Sequence, residues 1–401
     1  MKVLLVLEAA LGGASRHVLD LADGLLDRGM EVHLVYSTLR ADRNFLWGLG
    51  SLTARRSPFR CHSIPVTREV TLSDFSAFVK LSRYVSDYGP FDVIHAHSTK
   101  AGFLVRLLLN RGRARVIYTP HGLMTLDPAL TGMRQLAVCG VESTLAYRSD
   151  AVIAVSATER RTAVQTGILA SKIVVIPNGI RLMPPEIQTR SRKTIRESMN
   201  VPSDGICIGS VGRLVPEKQP DRVVEAFALL KQRTSRNVHL AMIGRGPKET
   251  ELHKIVRALG IEENVHFLGE VNGAAYMAAF DILAHTSRFE AFGYVFVEAL
   301  SAGVPIVTSH VGGVEELIST GVTGYVCDPR NLNSFADYLE LLVENPEMRS
   351  AMSLAARERA ADYTLAKMID ATVGLYNRLC ARANLAQVSP LTCETFSTDS
   401  K

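Results

Sequence analysis

The feature that most restricts this chain is a regular alternation of short apolar runs with helical patterns, interrupted once near the middle. The runs KVLLVL (2–7), EVHLVYS, FDVIHAHS, RVIYTPHG, DAVIAVS and KIVVIPNGI are separated by helical stretches at 15–29, 73–88, 101–110, 131–148 and 157–166. Apolar runs of this length with helices between them predict parallel strands buried on both faces, since a parallel pair needs a crossover and the crossover helices cover the sheet. In the first helix Ser15 is a candidate N-cap and Gly29 a candidate stop. Residues 181–204, with prolines and many charges, read as a linker leading into a short helix. A second series follows: GICIGSVGRL, HLAMIGRGP, NVHFLGE, DILAHTS, VPIVTS and TGYVCDP, then helical stretches near 331–344, 347–361 and 365–383. The expectation is an α/β chain of two tandem doubly wound, Rossmann-like domains, 1–178 and 179–364, facing across a cleft. Its polar, Ser/Thr-rich tail, 385–401, is expected to be disordered.

Other classes are excluded early. The run Val3–Leu7 is too short for a signal-peptide core, and no later run approaches the roughly 18 apolar residues of a membrane span. The six cysteines are scattered without C-x-x-C pairing, so reduced thiols and a cytoplasmic location are expected. The first half carries the positive balance of a chain whose net charge is +5, which suits nucleic acid or an anionic membrane surface and equally a plain unevenness of surface charge.

In doubly wound sheets chemistry sits just after the strands. After the first strand, Gly12-Gly13 opens a helix whose first N–H groups could meet an anion; a plain tight turn would use the same pair. G-x-G-x-x-G is absent, and the second strand ends Tyr36-Ser37-Thr38 rather than in an acid, which argues against a dinucleotide. His95, His97 and Lys100 follow one strand and His121 another, the latter in a Pro120–Gly122 turn. No carboxylate or Cys lies nearby to complete a metal set with these histidines, and no D-x-D triplet occurs, so no metal is expected. Arg213 and Lys218 place two cations before a helix, suited to a diphosphate. Gly244 and Gly246 form another turn, Gly269 could offer backbone to a base edge, and Gly312-Gly313 is a second candidate anion site. Glu290 falls in a loop and Glu298 in the helix after it. Eight helical residues rise about 12 Å, too far for an acid/base pair on one atom, so the two carboxylates suit the two ends of a long ligand.

Taken in order, GGASRH, DVIHAHS, YTPHG, IPNGI, VGRLVPEK, EAFGYVFVEALSAGVPIV and GGVEELI give a sequence that resembles the retaining, GT-B-fold glycosyltransferases of family four (glycosyl transferases group 1). The resemblance covers nearly the whole chain. It implies a UDP- or GDP-sugar donor used as substrate, with no cofactor. Arg213 and Lys218 would neutralise its diphosphate, with Gly13 and Gly12 presenting N–H groups from the other domain. Glu290 would bind donor-sugar hydroxyls, helped by the backbone of Ala291, Phe292 and Gly293, while Glu298 would hold the ribose and His121 would stand beside the reacting centre. Gly244 and Gly269 complete the expected donor-binding set. The last helix, 365–383, would pack back on the first domain. The acceptor would be a saccharide, a lipid-linked one among the candidates, in cell-surface polysaccharide or glycolipid synthesis, with no nucleic acid as partner. Arg106, Arg111, Arg113 and Arg115 beside Leu107–Leu109 would then dock the enzyme on the inner face of the plasma membrane. An epimerase or hydrolase on the same fold, and a non-catalytic nucleotide-sugar-binding subunit, stay open as alternatives.

Overall fold

The computed structural model describes residues 1–54, 58–67, 71–126, 130–328 and 330–385. The amino-terminal body holds strands β1 (Lys2–Leu7), β2 (Glu31–Tyr36), β3 (Phe59–Ser63), β4 (Val93–His97), β5 (Arg115–Thr119), β6 (Ala151–Ala154) and β7 (Ile173–Val175). They form one sheet in the order β3-β2-β1-β4-β5-β6-β7. The carboxy-terminal body holds β8 (Ile206–Val211), β9 (Val238–Ile243), β10 (Val265–Gly269), β11 (Ile282–His285), β12 (Ile306–Ser309) and β13 (Gly324–Cys327), in the order β10-β9-β8-β11-β12-β13. Every pairing is parallel. The direction of winding reverses between β1 and β4 and between β8 and β11, and a crevice opens at such reversals.

Several local expectations need correction. The first helix is Gly12–Asp27, starting three residues before Ser15, which donates from Oγ to Gly12 O (2.8 Å) inside the first turn rather than capping it. A helix Arg43–Thr53 and strand β3 were not legible in the sequence. The helix is short and capped by Asp42, which accepts from Phe45 N (2.7 Å). β3 is an edge strand exposed at four of its five positions, so it shows no apolar run. The stretch read as a linker contains the helix Pro185–Ser198, bound to the second body through Arg192 and Arg196 on Asp281 (2.5 and 3.1 Å).

The chain passes between bodies twice, side by side. Ile180 N donates to Tyr363 O (2.9 Å) and Leu365 N to Ile180 O (2.8 Å). Helix Leu365–Leu385 then lies on the first body, where Leu365, Met368, Ile369 and Tyr376 join Val3, Leu5, Val18 and Leu21 in one core. A Cβ at Gly24 would sit 2.1 Å from Ile369 Cδ1, so glycine permits the close approach. The tail from 386 onward, where disorder was expected, lies outside the described residues.

Three of the four arginines expected to meet a membrane are tied into the first body instead, while Arg113 is exposed. Arg106 is fully buried, donates to Gly102 O and pairs with Glu142 (2.8 Å). Arg111 donates to Arg148 O, and Arg115 pairs with Asp150 (2.8 Å). Burial of Leu108 turns the segment inward, leaving Leu109 as an exposed leucine there. Among the described residues no helix is long and apolar enough to cross a membrane.

Candidate active site

In the second body two loops are sewn together beyond β8 and β11. Thr286 Oγ1 donates to Gln219 O (2.6 Å) and Lys218 O (3.2 Å), Arg288 N to Glu217 O (2.8 Å), and Ser287 Oγ to Glu217 O (3.3 Å). This lacing brings Lys218 against Glu290, where ammonium and carboxylate form a close ion pair. His285, at the end of β11, places Nε2 3.1 Å from the same Glu290 Oε1. Burial alone would raise the Glu290 carboxyl, but the Lys218 ammonium and the His285 imidazole outweigh it and bring it down to about 2. Arg213 is exposed, and among the described residues no side-chain partner holds its guanidinium. Nothing in the residue order singles out His285, which reads there as one more strand residue.

The glycines below these loops serve packing. A Cβ at Gly244 would lie 1.9 Å from Gly212 O, and one at Gly246 2.3 Å from Leu214 O, so the two turns stack backbone on backbone under Arg213. Gly269 was expected to offer its backbone to a base, but its carbonyl already accepts from Gly244 N (2.8 Å). Gly312 and Gly313 precede a helix of four residues, Val314–Leu317, and pack against Glu290 O and Ala291 O. They do not form an anion site. The nearby anion is the carboxylate of Glu316, which accepts from Ala157 N (2.7 Å) and Thr158 N (2.9 Å) and caps a helix of the first body.

Helix Tyr294–Ala302 follows the Glu290 loop and stops at Gly303, whose φ of 71° is left-handed. Ahead of it, Ala291 O accepts from Ser156 Oγ (3.0 Å), Phe292 is buried, and Gly293 takes a φ of 81°. Glu298 pairs with Arg16 of the first body. The Arg16 guanidinium also lies 4.9 Å over the Tyr294 ring. Gly13 faces that ring, 3.1 Å from where its Cβ would be. Gly12 differs from expectation, because its N–H donates to Asp42 Oδ2 (3.0 Å) and is not free for a phosphate.

From the first body His121 arrives on a turn with φ of 56°, a conformation rare for a residue with a side chain. The buried Glu159 holds that turn, accepting from Gly122 N (2.7 Å), Leu123 N (3.2 Å) and Val155 N (2.8 Å). Burial raises the Glu159 carboxyl to about 6, against the pull of those three donors. Opposite the turn, a Cβ at Gly122 would sit 3.4 Å from Ala291 Cβ, so the His121 and Glu290 loops adjoin. His17, His95 and His97 cluster behind His121. Burial lowers all four imidazoles, His17 to about 4, so they are neutral at pH 7. Lys100 is turned away, paired with Asp74 (2.7 Å) and donating to Thr67 O (2.8 Å).

Two parallel α/β bodies that adjoin at their winding reversals define an enzyme-like architecture of the GT-B fold. The solved structure of Anabaena Alr3699/HepE in complex with UDP and glucose superposes with a TM-score of 0.79, at 24% identity over 94% of this chain and 100% of that one, a likeness of fold. Residues 11–183 match the model of Glycosyltransferase Family 4, and residues 191–359 that of Glycosyl transferases group 1. The D-inositol 3-phosphate glycosyltransferase of Mycobacterium leprae (strain Br4923) is 28% identical over 395 residues, 92% of this chain and 88% of that protein. An uncharacterized 41.2 kDa protein in the cps region of Klebsiella pneumoniae is 31% identical over 261 residues, 63% and 70% of the two chains. The chain belongs to the group 1 and family 4 glycosyltransferases.

Proposed function

We propose that this enzyme moves a sugar from a UDP- or GDP-sugar to a saccharide acceptor with retention of configuration and without a metal. The observation that carries the reading is the Lys218–Glu290–His285 constellation with the exposed Arg213, adjoining the His121 turn of the other body. Departure of a nucleoside diphosphate from an oxocarbenium-like sugar leaves negative charge behind. Arg213, Lys218 and the amino end of helix Tyr294–Ala302 are the cations and the dipole that stabilise it. Glu290, ionised throughout the physiological range, accepts from donor-sugar hydroxyls. Gly13 presents its backbone N–H to the diphosphate, Glu298 takes the ribose hydroxyls, and His121 lies beside the reacting centre. The acceptor hydroxyl attacks the face that the diphosphate leaves, and a β-phosphate oxygen takes its proton. UDP bound to the Anabaena neighbour supports a uridine donor.

A lipid-linked acceptor for cell-surface polysaccharide or glycolipid synthesis, reached from the cytoplasmic face of the membrane, is supported by exposed apolar side chains. Leu39, Trp47, Leu72, Phe75, Met133 and Leu136 all lie in segments that follow the carboxyl ends of β2, β3 and β5, with Trp47 82% exposed.

A thermal-shift series with UDP, GDP, ADP and their sugars tests the donor, since a ligand raises stability by about RT ln(1 + [L]/Kd). One nucleotide should stand out. If none raises the melting temperature, the donor reading fails. Offering the identified donor with D-inositol 3-phosphate and with lipid-linked saccharides then separates the acceptor classes.

A further inference from the structure

Along the sequence His95, His97 and His121 have no further ligand nearby; folding supplies one and removes another. His95 is spent, its Nδ1 on Tyr376 OH and its Nε2 on Thr119 Oγ1, both at 2.7 Å. His17 takes its place from helix Gly12–Asp27. One ring nitrogen each of His17, His97 and His121 lies within 4.8 Å of those of the other two. His97 Nδ1 and His121 Nε2 are 3.1 Å apart. The ring centroids are separated by 4.6, 5.3 and 5.3 Å. Tetrahedral zinc with Zn–N bonds of about 2.0–2.1 Å holds its ligand nitrogens about 3.4 Å apart, so small side-chain rotations close the set.

Two further observations bear on this cluster. Among the described residues His97 Nε2 is buried with no hydrogen-bond partner, while its Nδ1 is the nitrogen that faces His121, so the ring is held from one side only and is free to turn toward an ion. His17 Nδ1 lies 2.8 Å from Asn178 Oδ1. An amide oxygen only accepts, so Nδ1 carries the proton and Nε2 presents its lone pair. An outer partner that fixes the tautomer in this way is the usual support of a metal-bound histidine.

We propose that His17, His97 and His121 bind one divalent transition metal of the zinc class, with the part-exposed His121 on the cleft side, and that an occupied site withdraws His121 from the sugar donor. The withdrawal rests on the proposed donor site; the metal site does not. Three imidazoles without a carboxylate select borderline ions over Mg²⁺ or Ca²⁺.

The test is calorimetric titration of the full chain with Zn²⁺ alone and with Co²⁺ alone, no nucleotide present, together with the visible ligand-field spectrum of bound Co²⁺. One equivalent should bind, with the absorption of a four-coordinate nitrogen site, and Mg²⁺ should not bind. His17→Ala and His97→Gln should weaken binding more than about 100-fold, and Asn178→Ala about 10-fold, each with unchanged circular dichroism. Should His97→Gln fail to fold, His17→Ala and Asn178→Ala carry the test. No saturable binding by the parent, or affinity unchanged in His17→Ala and Asn178→Ala, overturns the site. Saturation with the nucleotide sugar should lower zinc affinity. If it binds and zinc affinity is unmoved, the site stands and the withdrawal of His121 is overturned. If no nucleotide binds, the donor reading falls, and the zinc and cobalt titrations alone decide the metal site.

Discussion

Arg16, near the start of the first helix, reaches across the cleft to form an ion pair with Glu298 of the other body. The proposed ribose ligand therefore already has a cationic partner before any donor arrives. A part-exposed pair of this kind is worth about 0–1 kcal/mol. Arg16→Ala should then tighten UDP binding by up to about 5-fold, whereas Glu298→Ala should weaken it, both read by calorimetry. Weaker binding in Arg16→Ala would mean that the guanidinium orients Glu298 instead of competing for it.

Glu290→Ala should reduce sugar transfer by at least about 100-fold. The part-exposed Lys218 that it leaves unpaired is screened by solvent, so folding should lose only about 1–2 kcal/mol. Turnover under saturating donor, compared with a urea melt, separates the two effects. A variant that keeps its turnover would remove Glu290 from the chemistry.

Stability should fall between pH 6.5 and pH 4. His17 titrates near 6.5 when unfolded and near 4 when folded, so in that window the unfolded chain binds the extra proton and gains. The contribution of His17 is about 3 kcal/mol by pH 4, and His95, His97 and His121 act in the same direction. Glu159 opposes them between about 6 and 4.5, because its raised carboxyl binds the proton first in the folded state. Glu290 adds a loss below about 4.5, where the unfolded carboxyl protonates and the folded one does not. Urea midpoints across this range should decline more gently in His17→Ala than in the parent.

Gly244→Ala should destabilise by more than about 2 kcal/mol. The new methyl would overlap Gly212 O at 1.9 Å, at a φ of 134° that side chains avoid. Nucleotide affinity should fall as well, because the loop carrying Arg213 must move. A melting temperature equal to the parent's would contradict the backbone stacking of the two turns.

The fold was legible where burial imposes a pattern. β1, β4, β8 and β9 are apolar runs because helices cover both their faces, and their positions could be read directly. β3 and helix Arg43–Thr53 were not, because one is an exposed edge and the other is fixed mainly by its Asp42 cap. Single positions set by spacing, such as Glu290 and Lys218, were also legible, and the loops do bring those two together. Partnerships made by folding were not. Nothing in the order of residues says that Asp42 takes the Gly12 N–H, that Arg106 turns inward to Glu142, or that His17 joins His97 and His121 while His95 turns to Tyr376.

The return of helix Leu365–Leu385 to the first body has a consequence for synthesis. Val3, Leu5 and Leu21 share their core with side chains that emerge near the end of translation. The body made first is therefore finished last, and its apolar face waits uncovered while the second body, 185–360, is being made. A nascent chain stalled before residue 365 should expose that face to chaperones, and removal of the last helix should damage the half of the enzyme farthest from it in sequence.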